Sequence, residues 1–188
     1  MTDTHDLDLP MDDEAQRIST GSEGLDNILG GGLDPNRMYL YEGSPGSGKT
    51  TIALQFLLEG VRRGERVLYV TLSETKAELE LVAKRHGWSL DGIDVFELVS
   101  PETSLDPELE LTVLHPAEME LSETTQQVFD RVTKTNPTRV IFDSLSEMRL
   151  LAQSPLRYRR QVLALKHFFT TRRCTVILLD DQTSEMGD

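Results

Sequence analysis

Apolar residues in this chain follow two recurring patterns, short unbroken runs and longer stretches spaced three and four apart. The runs Met38-Tyr39-Leu40-Tyr41, Arg66–Leu72, Val140–Asp143 and Thr175–Leu179 are too short for helices and read as buried strands. Phe96–Val99 predicts one more strand. Helical spacing fills the gaps. Residues 49–62 place Ile52, Ala53, Phe56, Leu57 and Gly60 on one face. Thr75-x-x-Glu78 has capping-box spacing and opens a helix to about His86, where Gly87 can close it. Glu80 and Lys84 stand four apart on it in the favourable order. Thr20-x-x-Glu23 predicts a similar cap before Leu25, Ile28 and Leu29, and Gly30-Gly31-Gly32 ends that short helix. Further helices are expected over 123–135 and, from Ser154-Pro155, to about Arg172.

Strands alternating with helices predict an α/β fold, a mostly parallel sheet with helices on both faces. A length of 188 residues fits one domain. Its expected extent is 16–188, behind a disordered acidic tail over 1–15. Residues 101–121 hold three prolines and little periodicity, and they read as an exposed acidic loop.

The charge changes the picture only locally. The formal net charge is −13, yet residues 1–14 carry six acids and 101–123 carry seven, with no Lys or Arg in either block. The rest is balanced. A nucleic-acid binder normally shows a basic footprint, so nucleic acid is not an expected partner. Arg157, Arg159, Arg160, Lys166, Arg172 and Arg173 do crowd the late helix, but they mix with Ala164 and read as a solvated face. No apolar run reaches the roughly 18–20 residues of a membrane span, and no signal-peptide pattern is present, so a cytoplasmic location is expected. The single cysteine, Cys174, excludes an internal disulfide. His5, His86, His115 and His167 show no metal-ligand spacing.

The strongest chemical signal is Gly43-Ser44-Pro45-Gly46-Ser47-Gly48-Lys49-Thr50, with Thr51 behind it. It fits G-x-x-x-x-G-K-[ST] and lies between a strand and an amphipathic helix. Its glycines let backbone N–H groups wrap a phosphate chain at a helix N-terminus. Lys49 then reaches the outer phosphates, and the Thr50 hydroxyl serves Mg²⁺. Asp143, ending a buried strand, is the expected second holder of the Mg²⁺ shell. Glu74 follows the second strand at the sheet edge that faces ligands in such folds. It reads equally as a carboxylate that polarises water and as a solvent-facing acid at a helix start. Ser144 is read as a turn residue. Of Asp180-Asp181-Gln182-Thr183, Asp180 is expected in an exposed turn and Gln182 is left open. No N-K-x-D guanine signature occurs, which favours ATP.

Several strings are shared beyond the phosphate loop. Arg17-Ile18-Ser19-Thr20-Gly21, Gly24-Leu25-Asp26, Ile28-Leu29-Gly30-Gly31-Gly32-Leu33 and Glu42–Thr51 resemble the KaiC family of RecA-like P-loop ATPases. The resemblance continues through Tyr69-Val70-Thr71, His86-Gly87-Trp88 and Phe142-Asp143-Ser144. It implies a RecA-like core, Mg·ATP, and a homo-oligomeric, hexameric ring with nucleotide at subunit interfaces. It also implies signalling partners and, by resemblance alone, serine/threonine autokinase activity. Two departures stand out. The family usually has two adjacent glutamates after the second strand, and here Ser73 replaces the first while Glu74 keeps the second. A hydroxyl is a poor base, so slow hydrolysis is expected, with Glu74, Ser73 and Lys49 as the catalytic candidates. Family members also continue past the last strand, so the chain reads as C-terminally truncated. The rival readings are an ATP-sensing module without turnover and a DNA recombinase relative.

Overall fold

A computed structural model describes residues 17–98 and 117–182 of the chain. Helices and strands alternate along it. They are α1 (Glu23–Ile28), β1 (Met38–Gly43), α2 (Lys49–Arg62), β2 (Val67–Thr71), α3 (Lys76–Arg85), β3 (Ile93–Glu97), α4 (Ala117–Thr135), β4 (Arg139–Asp143), α5 (Leu145–Ala152), α6 (Pro155–Arg172) and β5 (Thr175–Asp181). The strands form one sheet in the order β1-β5-β4-β2-β3. Every pairing is parallel, so all carboxyl ends lie on one edge. The α/β class expected from the pattern is the observed one.

Side chains alternate across the strands and feed two cores. On one face Tyr69, Ile141 and Ile177 meet Leu54, Phe56 and Leu57 of α2 and Leu79 of α3. On the other, Val70, Phe142 and Leu178 meet Val128 of α4, Met148 of α5 and Phe169 of α6. Strands covered on both sides need apolar residues at every position, which explains their unbroken runs. The strand β1 differs. Among the described residues it pairs with β5 alone and stands at the sheet edge, so its residues are half-buried or exposed rather than buried as expected.

Other boundaries differ for identifiable reasons. The helix expected from Glu123 starts at Ala117, inside the expected acidic loop. Leu121, Val128 and Val132 are buried and hold its inner face although acids dominate the segment. The rest of that loop, 101–116, and the expected tail, 1–15, lie outside the described residues. Short α5 was not anticipated, and its eight residues end at Gln153 in a left-handed conformation (φ 52°). The Thr75–Glu78 capping box is formed on both sides. The Thr20–Glu23 box is not. Ser22 caps α1 without a side-chain bond, while the Thr20 hydroxyl donates to Asp26 Oδ1 at 2.7 Å. On α3, Glu80 lies 3.9 Å from Lys76 Nζ rather than pairing with Lys84.

One buried cation ties distant segments together. Arg139 is 1% exposed and donates to both oxygens of Glu65, at 2.8 and 2.9 Å. Its remaining reach goes to the carbonyls of Ser19 (2.7 Å) and Phe56 (3.0 Å). The residues before β1 are thus fastened to the start of β4. Gly32 at φ 123° lets the chain pass against the Ile18 carbonyl where Ile18 and Leu33 bridge, an approach a Cβ would block.

Candidate functional site

The site lies at the carboxyl edge of the sheet. Gly43 ends β1, and Gly48 (φ 93°) is the left-handed N-cap of α2, so the loop between them wraps the helix N-terminus. Gly46 also has positive φ (79°) and nothing near its absent Cβ. The Ser47 amide donates to Ser44 O at 3.1 Å, closing the turn around Pro45. This leaves the first-turn amides of α2, including those of Thr50 and Thr51, without helical acceptors, a setting that attracts anions.

Lys49 is the cation of this loop. Its Nζ donates to Gly43 O (2.8 Å) and Ser44 O (3.1 Å) and pairs with Asp181 Oδ1 at 2.8 Å. Asp143 stands at the end of β4, its backbone between Thr71 and Leu179. The peptide joining it to Ser144 is cis. The Tyr69 hydroxyl donates to Asp143 Oδ2 at 2.6 Å, and the nearby Thr50 side chain acts on the same phenol. The phenol of β2 thus fixes the carboxylate at the end of β4, close to the Thr50 side chain. Burial pushes the Asp143 carboxyl above its ordinary value, against the opposing pull of the Tyr69 hydrogen bond.

Glu74 follows β2, where the Thr71 hydroxyl accepts from its amide (2.9 Å) and donates to its carbonyl (2.8 Å). It is half-buried, and its Oε2 is a buried oxygen with no hydrogen-bond partner among the described residues. Burial pushes its carboxyl up, and the negative charges of Asp143, Glu78 and Asp181 add to that. With Gly46, Gly48, Lys49, Thr50 and Thr51 it lines a cleft of about 320 Å³. The opposite wall is Val82, Arg85 and His86. Ser73 is exposed and does not line this cleft.

Sequence reasoning thus places Gly43 through Thr51, Glu74 and Asp143 on one edge, and the structure brings them together. It did not find Tyr69, whose hydroxyl is hidden in an apolar run. Nor did it single out Arg85 and His86, which α3 brings over the loop. Asp180 needs correction. It belongs to β5, is 5% exposed, and accepts from Ser146 and Arg149 at 2.6 Å each. The Gln182 amide donates to Gly43 O at 3.0 Å, extending the β1–β5 pairing, while Thr183 lies outside the described residues. On α6, Arg172 lies over the Phe168 ring at 5.0 Å. Cys174 is buried, its thiol pushed up to about 11 by desolvation. No described helix is long and apolar enough to cross a membrane.

The family model described as the KaiC ATPase matches residues 18–188. A UPF0273 protein of Pyrococcus horikoshii is 28% identical over 170 residues, covering 87% of this chain and 68% of the relative. The circadian clock oscillator protein KaiC of Parathermosynechococcus lividus is 30% identical over 188 residues, 98% of this chain and 34% of the relative. The DNA repair protein RadA of Aquifex aeolicus is 36% identical over 127 residues, 65% of this chain and 28% of that protein. The chain thus spans about two-thirds of the archaeal relative and about a third of the clock protein.

Proposed function

This chain belongs to the KaiC family of ATPases, and on that premise we propose that it binds Mg·ATP at the Gly43–Thr51 loop and hydrolyses it slowly. The observation that carries the catalytic part is Glu74 Oε2, buried, without a partner among the described residues, and on the wall of the cleft above that loop. A carboxylate with a free lone pair beside a phosphate site is placed to take a proton from an attacking water. Its raised pKa brings its basicity nearer to neutral pH. Ser73 lies off the cleft and takes no part.

The other groups have distinct tasks. Loop amides and Lys49 hold the phosphates and offset the charge that gathers on the outer phosphoryl oxygens. The Thr50 hydroxyl and the Asp143 carboxylate, the latter fixed by Tyr69, are hard oxygen donors, a set that fits Mg²⁺ and similar hard divalent ions. Bound there, the ion would neutralise negative charge on the phosphates. The loss of one of the family's paired glutamates leaves Glu74 to act alone, which accounts for slow turnover. Assembly into a ring with signalling partners, by analogy with the clock relatives, belongs to the same reading.

The test is Mg²⁺-dependent ATP turnover with nucleotide binding followed in the same samples. Lys49→Ala should abolish binding; an unchanged dissociation constant would refute the site. Glu74→Gln should retain binding and lose turnover by about 100-fold or more. Tight binding with no turnover in the unaltered chain would instead favour an ATP sensor, the reading that Ser73 supports.

A further inference from the structure

Lys49 has no spare donor. An ammonium carries three N–H groups, and its three acceptors here are Gly43 O, Ser44 O and Asp181 Oδ1. Two belong to the phosphate loop itself and are neutral. Asp181 alone brings a charge, and it comes from a different strand. Its backbone is fixed, since β5 pairs it with Gly43 and its amide donates to Ser146 Oγ at 3.1 Å. Ser146 in turn donates to Asp180, which Arg149 also grips. The Asp181 side chain is nevertheless 45% exposed, against 14% for Lys49, so it can leave the lysine without leaving the strand.

We propose, resting on the nucleotide-binding reading above, that Asp181 is a specificity-determining residue that competes with the terminal phosphate of a nucleoside triphosphate for Lys49. The loop's amides cradle the inner phosphates and the lysine reaches the second and third, so the third depends on it most. A diphosphate calls on the lysine through its second phosphate alone and therefore disturbs the Lys49–Asp181 pair less. A triphosphate has to displace the carboxylate and then sits beside it, like charge against like. Asp181 also adds to the negative field at Glu74 and Asp143, so the acid side of the cleft is crowded before any phosphate arrives. The consequence is a narrowed preference for ATP over ADP, set by one side chain at the end of β5.

The experiment compares ATP and ADP dissociation constants for the full chain and for Asp181→Asn, by calorimetry, with Mg²⁺ and again with a chelator. Asparagine keeps the shape and removes the charge. A partly exposed ion pair holds about 1 kcal/mol at most, so ATP should bind about fivefold tighter in the variant, with ADP changed by less than about twofold. Asp181→Ala should move the ratio the same way, which guards against a folding defect in either variant. An unchanged ATP-to-ADP ratio overturns the proposal, as does a change confined to the Mg²⁺ samples, which would make Asp181 a partner of the ion. If the unaltered chain binds neither nucleotide, the nucleotide-binding reading itself fails, a result separable from a normal site with an indifferent Asp181.

Discussion

The Tyr69 hydroxyl donates to Asp143 Oδ2 at 2.6 Å, so one buried phenol on β2 fixes a carboxylate oxygen at the end of β4. Tyr69 is fully buried within β2 and cannot swing away. It acts as a positioning residue, touching neither phosphate nor reacting atoms itself.

Replacing Tyr69 by Phe keeps the ring and removes only the link. Outer-sphere partners of this kind change metal affinity by about tenfold or more when lost. Manganese titration in the presence of ADP, read by electron paramagnetic resonance, should show that weakening. Metal-free ADP affinity should stay within about twofold, since the loop amides are untouched. Equal loss of both would mean that the phenol merely holds the fold.

Glu74 yields a pH prediction. Burial first, and then Asp143, Glu78 and Asp181, raise its folded pKa. The folded protein therefore keeps this proton to higher pH than the unfolded chain, and stability falls as pH rises from the ordinary carboxylate value through the raised one. Glu74→Gln removes that loss. Its melting temperature should match the unaltered chain below about pH 4, exceed it at neutral pH, and gain nothing more above the raised value.

Glu65 titrates in the opposite sense. Burial opposes its ionisation, but hydrogen bonds from Arg139 and Thr138 outweigh that and hold its carboxyl below the usual range. Its contribution is present above the ordinary carboxylate value and is lost as pH falls through the lowered one. Arg139→Met should cost about 3 kcal/mol in denaturant unfolding at neutral pH, because it breaks a buried pair and takes the donor from the Ser19 carbonyl. The cost should shrink on acidification.

Two helical glycines should respond with opposite sign. A Cβ on Gly60 would lie 2.7 Å from Val67 Cγ1 and 2.8 Å from Arg139 Cδ, whereas Gly24 has nothing within 4 Å. Alanine gains about 1 kcal/mol of helix propensity in either place. At Gly60 overpacking of about 1–3 kcal/mol cancels or exceeds the gain, and at Gly24 nothing opposes it. Thermal melts of Gly60→Ala and Gly24→Ala should therefore shift apart, the second upward.

The order of elements and the phosphate loop were legible because both rest on local spacing. Val140–Asp143 reads as a doubly covered strand from its own residues, and Gly43–Thr50 needs no tertiary information. What the sequence concealed depends on distant neighbours. Tyr69 looks like one more apolar strand residue until β4 brings Asp143 beside it. Asp180 looks like a turn residue, because an acid near a strand end usually is; only Ser146 and Arg149, on an unanticipated helix, make its burial tolerable. Thr20 matches a capping spacing, yet Asp26 takes its hydroxyl and the cap passes to Ser22. The site was found by its loop; its tuning was not.

The sheet order has a consequence in time. Met38 on β1 faces Val176 on β5, 138 positions later, and no other described strand pairs with β1. At synthesis rates of about 5–20 residues per second, the strand that leads into the phosphate loop waits roughly 7–28 s for its neighbour to be made. Until then the loop has a finished helix on one side and an unpaired strand on the other. Asp181, the carboxylate that meets Lys49, arrives with that same strand, β5. A nascent chain thus acquires its phosphate grip and the competitor for it in a single late step.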